Sequence, residues 1–163
     1  MVIGDNADSD SAKAHQSVIL YAMDNTGYKN LLSLVSKSYT DGLVDGVPIL
    51  TKTALFENHQ GIIVILTERS EIGTVLKGNQ PKRVQDTLAQ WQQIFGDRLY
   101  IGIKRTKRAA EDLFIKNAIE QAAPLKIPLV AYNDVRFLSQ DDFDAHEARV
   151  CICLLYTSDA ADE

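Results

Sequence analysis

The stretch that decides the fold is GIIVIL at residues 61–66. Five consecutive apolar residues, four of them β-branched, are typical of an interior strand of a parallel sheet, because both faces of such a strand are buried. The glycine ahead of them marks the turn that leads into the strand. The run is far shorter than the roughly 18 apolar residues that suggest a membrane helix.

Strands and helices alternate on both sides of this run. Short apolar runs predict three further strands, at 18–23, 99–103 and 127–131. This alternation predicts the α/β class, because βαβ units fold into a parallel sheet or barrel. Only about four strands are found by pattern, fewer than a closed (β/α)₈ barrel needs. The sheet is therefore expected to be open, or the chain to be incomplete.

Helices are predicted from apolar residues at helical spacing. One is expected at 81–95, one at 140–152, and one that starts near Phe114 and ends before Pro124, because proline disfavours helix in the residue ahead of it. A short helix is expected within 51–57. Residues 4–17 lack any period and are expected to form a loop.

The helix after residue 24 is predicted to bury its largest apolar side chains. Asp24, Asn25 and Thr26 offer side-chain oxygens that can cap its first turn. Lys29 and Lys37 are expected to face water. The side chains expected to be buried recur at helical spacing, and they are Tyr28, Leu31, Leu32, Val35 and Tyr39.

Composition excludes several classes of function. The 163 residues carry a formal net charge of −5, so binding to nucleic acid would need a local basic patch. No apolar signal or membrane segment is present, so a cytoplasmic protein with no membrane partner is expected. Cys151 and Cys153 are too close for an ordinary disulfide and too few for a zinc site.

Few polar residues stand where chemistry is expected. Asp134 follows a predicted strand, at the end where α/β proteins usually place their sites. His146 and Glu147 resemble the start of a zinc-protease motif, but Val150 holds the place of its second histidine. Two charged clusters have interpretations that need no ligand. The acidic cluster is interpreted as a helix cap, and its members are Asp141, Asp142 and Asp144. The basic cluster is interpreted as a solvated loop, and its members are Lys104, Arg105, Lys107 and Arg108.

Three ordered motifs give the chain a family resemblance. NTGYKNL at 25–31, followed by LVSK at 34–37, is one; LKGN at 76–79 is the second. The third is IPLVA at 127–131 with NDVRF at 133–137 and DFDAHE at 142–147. Together they resemble the bacterial replicative polymerase III alpha subunits, within the polymerase-and-histidinol-phosphatase (PHP) domain of that family.

The resemblance implies a distorted (β/α) barrel of PHP type whose N-terminal strands are missing from this chain. Metal-binding members of the family take ligands from an N-D-x-H motif. Asp134 matches the aspartate, but Arg136 stands in the histidine's place, and a guanidinium has no lone pair to offer a metal. The chain therefore resembles the branch with a degenerate metal site, so no catalytic, cofactor or metal residue is expected here.

The resemblance also implies a role and partners. The parent would be a DNA-directed DNA polymerase, a nucleotidyltransferase that uses Mg²⁺ and binds DNA and other replisome subunits. This segment would be a structural domain that binds the proofreading exonuclease subunit and cannot polymerise DNA by itself. Two alternatives stay open: a metal-dependent phosphoesterase of the PHP superfamily, with Asp134 and His146 as ligands, and an independent small α/β binding module.

The last residues depart from the family. A permitted back-translation of residues 153–163 resembles a transposase sequencing adapter. The expected organisation is a partial PHP domain over residues 1–152, followed by a non-native tail over residues 153–163.

Overall fold

The computed structural model describes residues 1–4, 16–44, 46–77, 81–108 and 111–154. Most of the loop predicted over residues 4–17 and most of the predicted tail therefore lie outside the described residues. The chain divides into two compact units, Met1–Tyr132 and Asn133–Glu163. The expected boundary between residues 152 and 153 stays a prediction.

The first unit is built on a mostly parallel sheet, which confirms the α/β class and is consistent with a partial PHP barrel. Its order is β3-β4-β1-β2-β5-β6-β7, and only β2 and β3 run against the other strands. The described residues thus form seven strands rather than about four, because β1 and β3 have only three and two residues and β4 contains Pro48. The strands are β1 Val2–Gly4, β2 Gln16–Ala22, β3 Leu43–Val44, β4 Val47–Thr51, β5 Ile62–Leu66, β6 Leu99–Ile103 and β7 Leu129–Ala131.

The helices follow the predicted order. α4 has the predicted bounds, and α3 was not predicted. Among the described residues, none of the helices is long and apolar enough to cross a membrane. The helices are α1 Asn25–Thr40, α2 Lys52–Glu57, α3 Glu71–Lys77, α4 Pro81–Phe95, α5 Glu111–Leu125 and α6 Phe143–Leu154, with single 3-10 turns at Gly96–Arg98 and Gln140–Asp142.

The prediction that α5 ends before Pro124 was wrong. The helix includes Pro124, and its stop lies at Lys126, which has a left-handed φ of 55°. The amide of Lys126 donates to the carbonyl of Ala123, and the amide of Ile127 donates to that of Ala122. This is the Schellman pattern that closes many helices. A proline in the last turn therefore leaves the helix in place, and the left-handed residue after it ends the helix.

The core is centred on β5. Ile62, Val64 and Leu66 are fully buried, and β5 is paired on both sides, antiparallel to β2 and parallel to β6. Trp91 and Phe95 of α4 stack with ring centroids 5.7 Å apart and belong to the same buried cluster. Helices α1 to α5 all contribute to this cluster, so one continuous core holds the first unit together.

α1 packs through a different face from the predicted one. Asp24 caps the helix as predicted, accepting a hydrogen bond of 2.7 Å from the amide of Gly27. However, the buried residues of α1 are Gly27, Leu34 and Ser38. The prediction that its largest apolar residues are buried was wrong: Leu31 is half-buried, and the other four, Tyr28, Leu32, Val35 and Tyr39, are between 39% and 60% exposed.

Glycine is required at position 27 because α1 begins almost in contact with the turn before β5. A Cβ atom at Gly27 would lie 1.8 Å from the carbonyl oxygen of Gly61. That oxygen also accepts a 2.8 Å hydrogen bond from the amide of Met23. The close approach therefore fixes the start of α1 against the start of β5, and it selects glycine over a larger residue.

We expect Gly27→Ala to destabilise the protein strongly, although alanine is intrinsically the better helix former. The added methyl group meets backbone that cannot move without disturbing β5, so a loss of about 3 kcal/mol or more is expected. Ser33→Ala, an exposed position on the same helix, is the control and should change stability by less than about 0.5 kcal/mol. Urea unfolding of both variants measures the difference, and equal midpoints would refute the close contact.

Candidate functional site

Three charged or polar side chains meet at the carboxyl ends of β5, β6 and β7. Glu68 follows β5, Lys104 is the first residue after β6, and Tyr132 is the first residue after β7. This is the edge at which parallel sheets usually place ligands, because the strand ends and their loops converge there. We refer to these three residues as the edge cluster.

The edge cluster is a closed network. The ammonium of Lys104 lies 2.6 Å from Oε1 of Glu68, and the hydroxyl of Tyr132 donates to Oε2 of the same carboxylate at 2.5 Å. The Lys104 ammonium also lies 5.7 Å from the centre of the Tyr132 ring, within the range of a cation–π contact. The side chain of Lys104 is only 7% exposed and that of Glu68 21%. A lysine is almost never so buried unless its charge is paired.

A missing side chain on β6 lets Tyr132 reach Glu68. A Cβ atom at Gly102 would lie 3.0 Å from Cδ1 of Tyr132 and 2.9 Å from Cγ2 of Ile65. The Tyr132 ring therefore lies in the space that any other residue at Gly102 would fill. Glycine weakens a strand by itself, and here an aromatic neighbour covers the exposed backbone.

The network changes the protonation of its members. Burial by itself would raise the pKa of Glu68, but hydrogen bonds from Lys104 and Tyr132 outweigh it and hold this pKa below its ordinary value. Burial, followed by the hydrogen bond to the Glu68 carboxylate, raises the pKa of Tyr132 far above its ordinary value. Glu68 is therefore ionised and Tyr132 neutral at neutral pH, so the tyrosine acts as a hydrogen-bond donor.

The loop after the edge cluster has its own anchor. The carboxylate of Glu111 accepts hydrogen bonds from the hydroxyl and amide of Thr106 and from the amide of Arg108, and the hydroxyl bond is the main cause of its lowered pKa. Arg105 is exposed and lies 3.6 Å from Asp112. The predicted basic cluster is thus divided, because Lys104 is buried in the edge cluster and its three neighbours remain in solvent.

The residues predicted from the family motif lie in the second unit. Asp134 is bound by Arg136 at 2.9 Å, in an ion pair that is exposed to solvent. The ring of His146 lies 5.4 Å from that of Phe137, and its Nδ1 is 3.4 Å from the guanidinium of Arg149. Ser139 is the N-cap of the 3-10 turn, and Asp142 completes the capping box by accepting a 3.0 Å hydrogen bond from the amide of Ser139. The helix-cap interpretation is therefore confirmed for Asp142.

The donor set does not fit a metal ion. Across the described parts of the chain, no three His, Cys, Asp or Glu side chains come together in a group that could hold one. Glu68 is neutralised by an ammonium and Asp134 by a guanidinium. The expectation that Asp134 and Arg136 form no metal site stays a prediction. The geometry gives each carboxylate an internal cation as its partner.

Sequence reasoning missed the edge cluster. Its members are far apart in the chain, and none belongs to a recognisable motif. One signal was present: Lys104 and Tyr132 each directly follow an apolar strand, and Glu68 lies two residues after one. Polar residues at such positions converge in a parallel sheet, so the strand ends alone could have predicted their meeting.

We expect Glu68→Gln to destabilise the protein by about 2 kcal/mol, because it leaves the buried Lys104 ammonium without a charged partner. This value is below the roughly 3–5 kcal/mol of a fully buried pair, since Glu68 is partly exposed. The folded-state pKa of Glu68 is lowered, so its stabilisation is complete above its ordinary pKa and is lost as the pH falls through the folded value.

The difference in unfolding free energy between wild type and Glu68→Gln should therefore shrink on acidification below the ordinary pKa of a glutamate. Urea unfolding across that pH range is the measurement. Glu57→Gln, an exposed glutamate with no ion pair among those of the described residues, is the control. A difference that stays constant with pH would show that the Glu68 carboxylate has no special partner.

Comparison with known proteins places this fold in a family. The family model of the PHP domain matches residues 1–106 of this chain. DNA polymerase III subunit alpha of Vibrio cholerae is 40% identical over 140 residues, which is 85% of this chain and 12% of the relative. The proteins of the same name from Escherichia coli K12 and Pseudomonas fluorescens are 39% and 36% identical, over 80% and 90% of this chain and 11% and 12% of their own lengths.

The chain therefore spans only about an eighth of the length of the curated relatives it matches. The match with the Pseudomonas protein covers 148 residues, more than the 132 of the first unit, so it extends into the second unit. The chain belongs to the PHP domain family and is similar, over most of its length, to DNA polymerase III alpha subunits.

Proposed function

We propose that this chain is the structural PHP segment of a DNA polymerase III alpha subunit in the bacterial cytoplasm. Its parent carries out DNA-templated DNA synthesis with Mg²⁺ in replication, as a nucleotidyltransferase that binds DNA and other replisome subunits. The segment itself contributes packing and partner binding, and no catalytic residue. Relatives named DNA polymerase III subunit alpha support the parent, since they align over 80–90% of this chain.

One observation favours a structural role over phosphoesterase chemistry. The edge at which a sheet of this kind would hold a ligand is filled by the Glu68–Lys104–Tyr132 network. Hydrolysis of a phosphoester with metal ions needs free carboxylates or imidazoles that converge on one point. Here the Glu68 carboxylate is bound by an ammonium and a phenol of the same chain, so it is not free to activate water.

The partner proposed for this segment is the proofreading exonuclease subunit. Its binding surface is proposed to include the exposed apolar stripe of α1, which comprises Tyr28, Leu32, Val35 and Tyr39. These residues follow the spacing of one helix face, and none of them contributes to the core. An apolar stripe rimmed by polar residues such as Lys29 is typical of protein interaction sites.

We expect the chain to co-elute with the exonuclease subunit of the same bacterium in size-exclusion chromatography. Leu32→Ser should weaken this binding by about tenfold or more, as expected for the loss of one interface anchor. Ser33→Ala, a neighbouring exposed position outside the stripe, should bind like wild type. Unchanged binding by Leu32→Ser would exclude α1 as the surface, whereas no binding by wild type would reject the partner.

Primer extension tests the proposed parent. The full-length parent polypeptide should extend a primed template in the presence of Mg²⁺, and the 163-residue chain should not. Glu68→Gln in the parent should leave the rate of extension within about twofold of wild type at a temperature where both are folded, because the substitution lies outside any polymerase chemistry. A loss of activity that is not explained by unfolding would contradict a purely structural role.

A further inference from the structure

We propose that Glu68 and Tyr132 form a cation-binding site whose occupant is the ammonium of Lys104. The site is built for a primary ammonium, and the protein supplies that ammonium from its own chain. The role of Lys104 is therefore that of an internal ligand, which joins the carboxyl ends of three parallel strands. This inference concerns the edge cluster alone and does not depend on the parent or on its partners.

The geometry supports a site that recognises charge. The ammonium is 2.6 Å from one carboxylate oxygen, and the other oxygen is occupied by the Tyr132 hydroxyl. The ring of Tyr132 presents its face to the same ammonium at 5.7 Å. Carboxylate and aromatic face together are the two groups that stabilise a desolvated ammonium. The carboxylate follows β5 and the aromatic ring follows β7, and both contact the same ammonium.

Because the side chain of Lys104 is buried, its positive charge is expected to affect stability more than its length does. An ammonium that is nine-tenths removed from water loses its hydration, and only a paired carboxylate can offset that loss. Removal of the positive charge would therefore leave negative charge uncompensated at a crowded edge.

The sheet geometry makes a cation useful at this position. The ladder between β5 and β6 pairs residues 64–66 with 99–101, and the ladder between β6 and β7 has three residue pairs. β7 is only three residues long and lies at the edge of the sheet. The contact between Tyr132 and Glu68 crosses β6 above Gly102, so the bound ammonium ties the short edge strand to the centre of the core.

Chemical rescue tests the proposal. Lys104→Ala removes the side chain beyond Cβ, which propylammonium matches atom for atom. The variant should unfold at lower urea concentration than wild type, and propylammonium chloride should shift the midpoint back toward the wild-type value. 1-Propanol at the same concentration fills the same space without a charge and should give no such shift. Lys82→Ala, at an exposed position on α4, should respond to neither compound.

The double variant Glu68→Gln/Lys104→Ala separates charge recognition from packing. It should not be rescued by propylammonium, because its carboxylate is gone. Equal rescue of Lys104→Ala by 1-propanol and propylammonium would overturn the proposal in favour of simple cavity filling. Failure of propylammonium to shift the midpoint would also overturn it, as would a rise of the wild-type midpoint with MnCl₂ that Glu68→Gln abolishes.

Lys104→Met keeps the test decisive if Lys104→Ala does not fold. Methionine has nearly the length of lysine and no charge, so it leaves Glu68 unpaired while it fills the space. We expect Glu68→Gln/Lys104→Met to unfold at higher urea concentration than Lys104→Met alone. If the single variant is as stable as wild type, or more stable than the double variant, the site does not require a cation.

Discussion

The burial of β5 between two neighbouring strands is the constraint on which the rest of the structure depends. Its residues are paired antiparallel with β2 and parallel with β6, and Ile62, Val64 and Leu66 are fully buried. Burial of such side chains contributes about 1.5–3 kcal/mol each, so a shift of this strand would be costly. Both ends of β5 then define other features. The turn at Gly61 receives the start of α1, and the exit at Leu66 places Glu68 in the edge cluster.

This dependence explains which parts of the fold could be predicted from sequence. β5 and α4 could be predicted from the sequence, because a continuous apolar run and a regular helical spacing have few other interpretations. The Asp24 cap was equally clear, since its side chain acts within three residues of itself. β1 and β3 were missed because three and two residues carry little pattern, and β4 was missed because Pro48 interrupts its apolar run. Their pairing is decided by distant residues, which no local pattern contains.

The error on α1 has a physical cause of a different kind. Pattern reasoning gives the buried face to the largest apolar residues, because their transfer from water is most favourable. α1 instead buries Gly27, Leu34 and Ser38, and at Gly27 the helix backbone comes too close to Gly61 for any larger side chain. The steric limit at this contact thus outweighs the free energy that burial of one larger side chain would contribute. Apolar residues of α1 are therefore left in solvent, and they form the surface that we propose for partner binding.

The edge cluster shows how a parallel sheet can neutralise polar groups at its carboxyl ends with side chains of the same chain. A parallel sheet brings strand ends together whatever residues occupy them, and polar groups that converge there must be neutralised in some way. An ion bound from the solvent is one way to neutralise them, but the stability of the protein then depends on the concentration of that ion. Lys104 achieves the same neutralisation through a covalently attached ammonium, whose local concentration never falls. A domain held in this way needs no ion from solution to neutralise Glu68. The surface that we propose for association, the apolar stripe of α1, lies on a different element from this cluster.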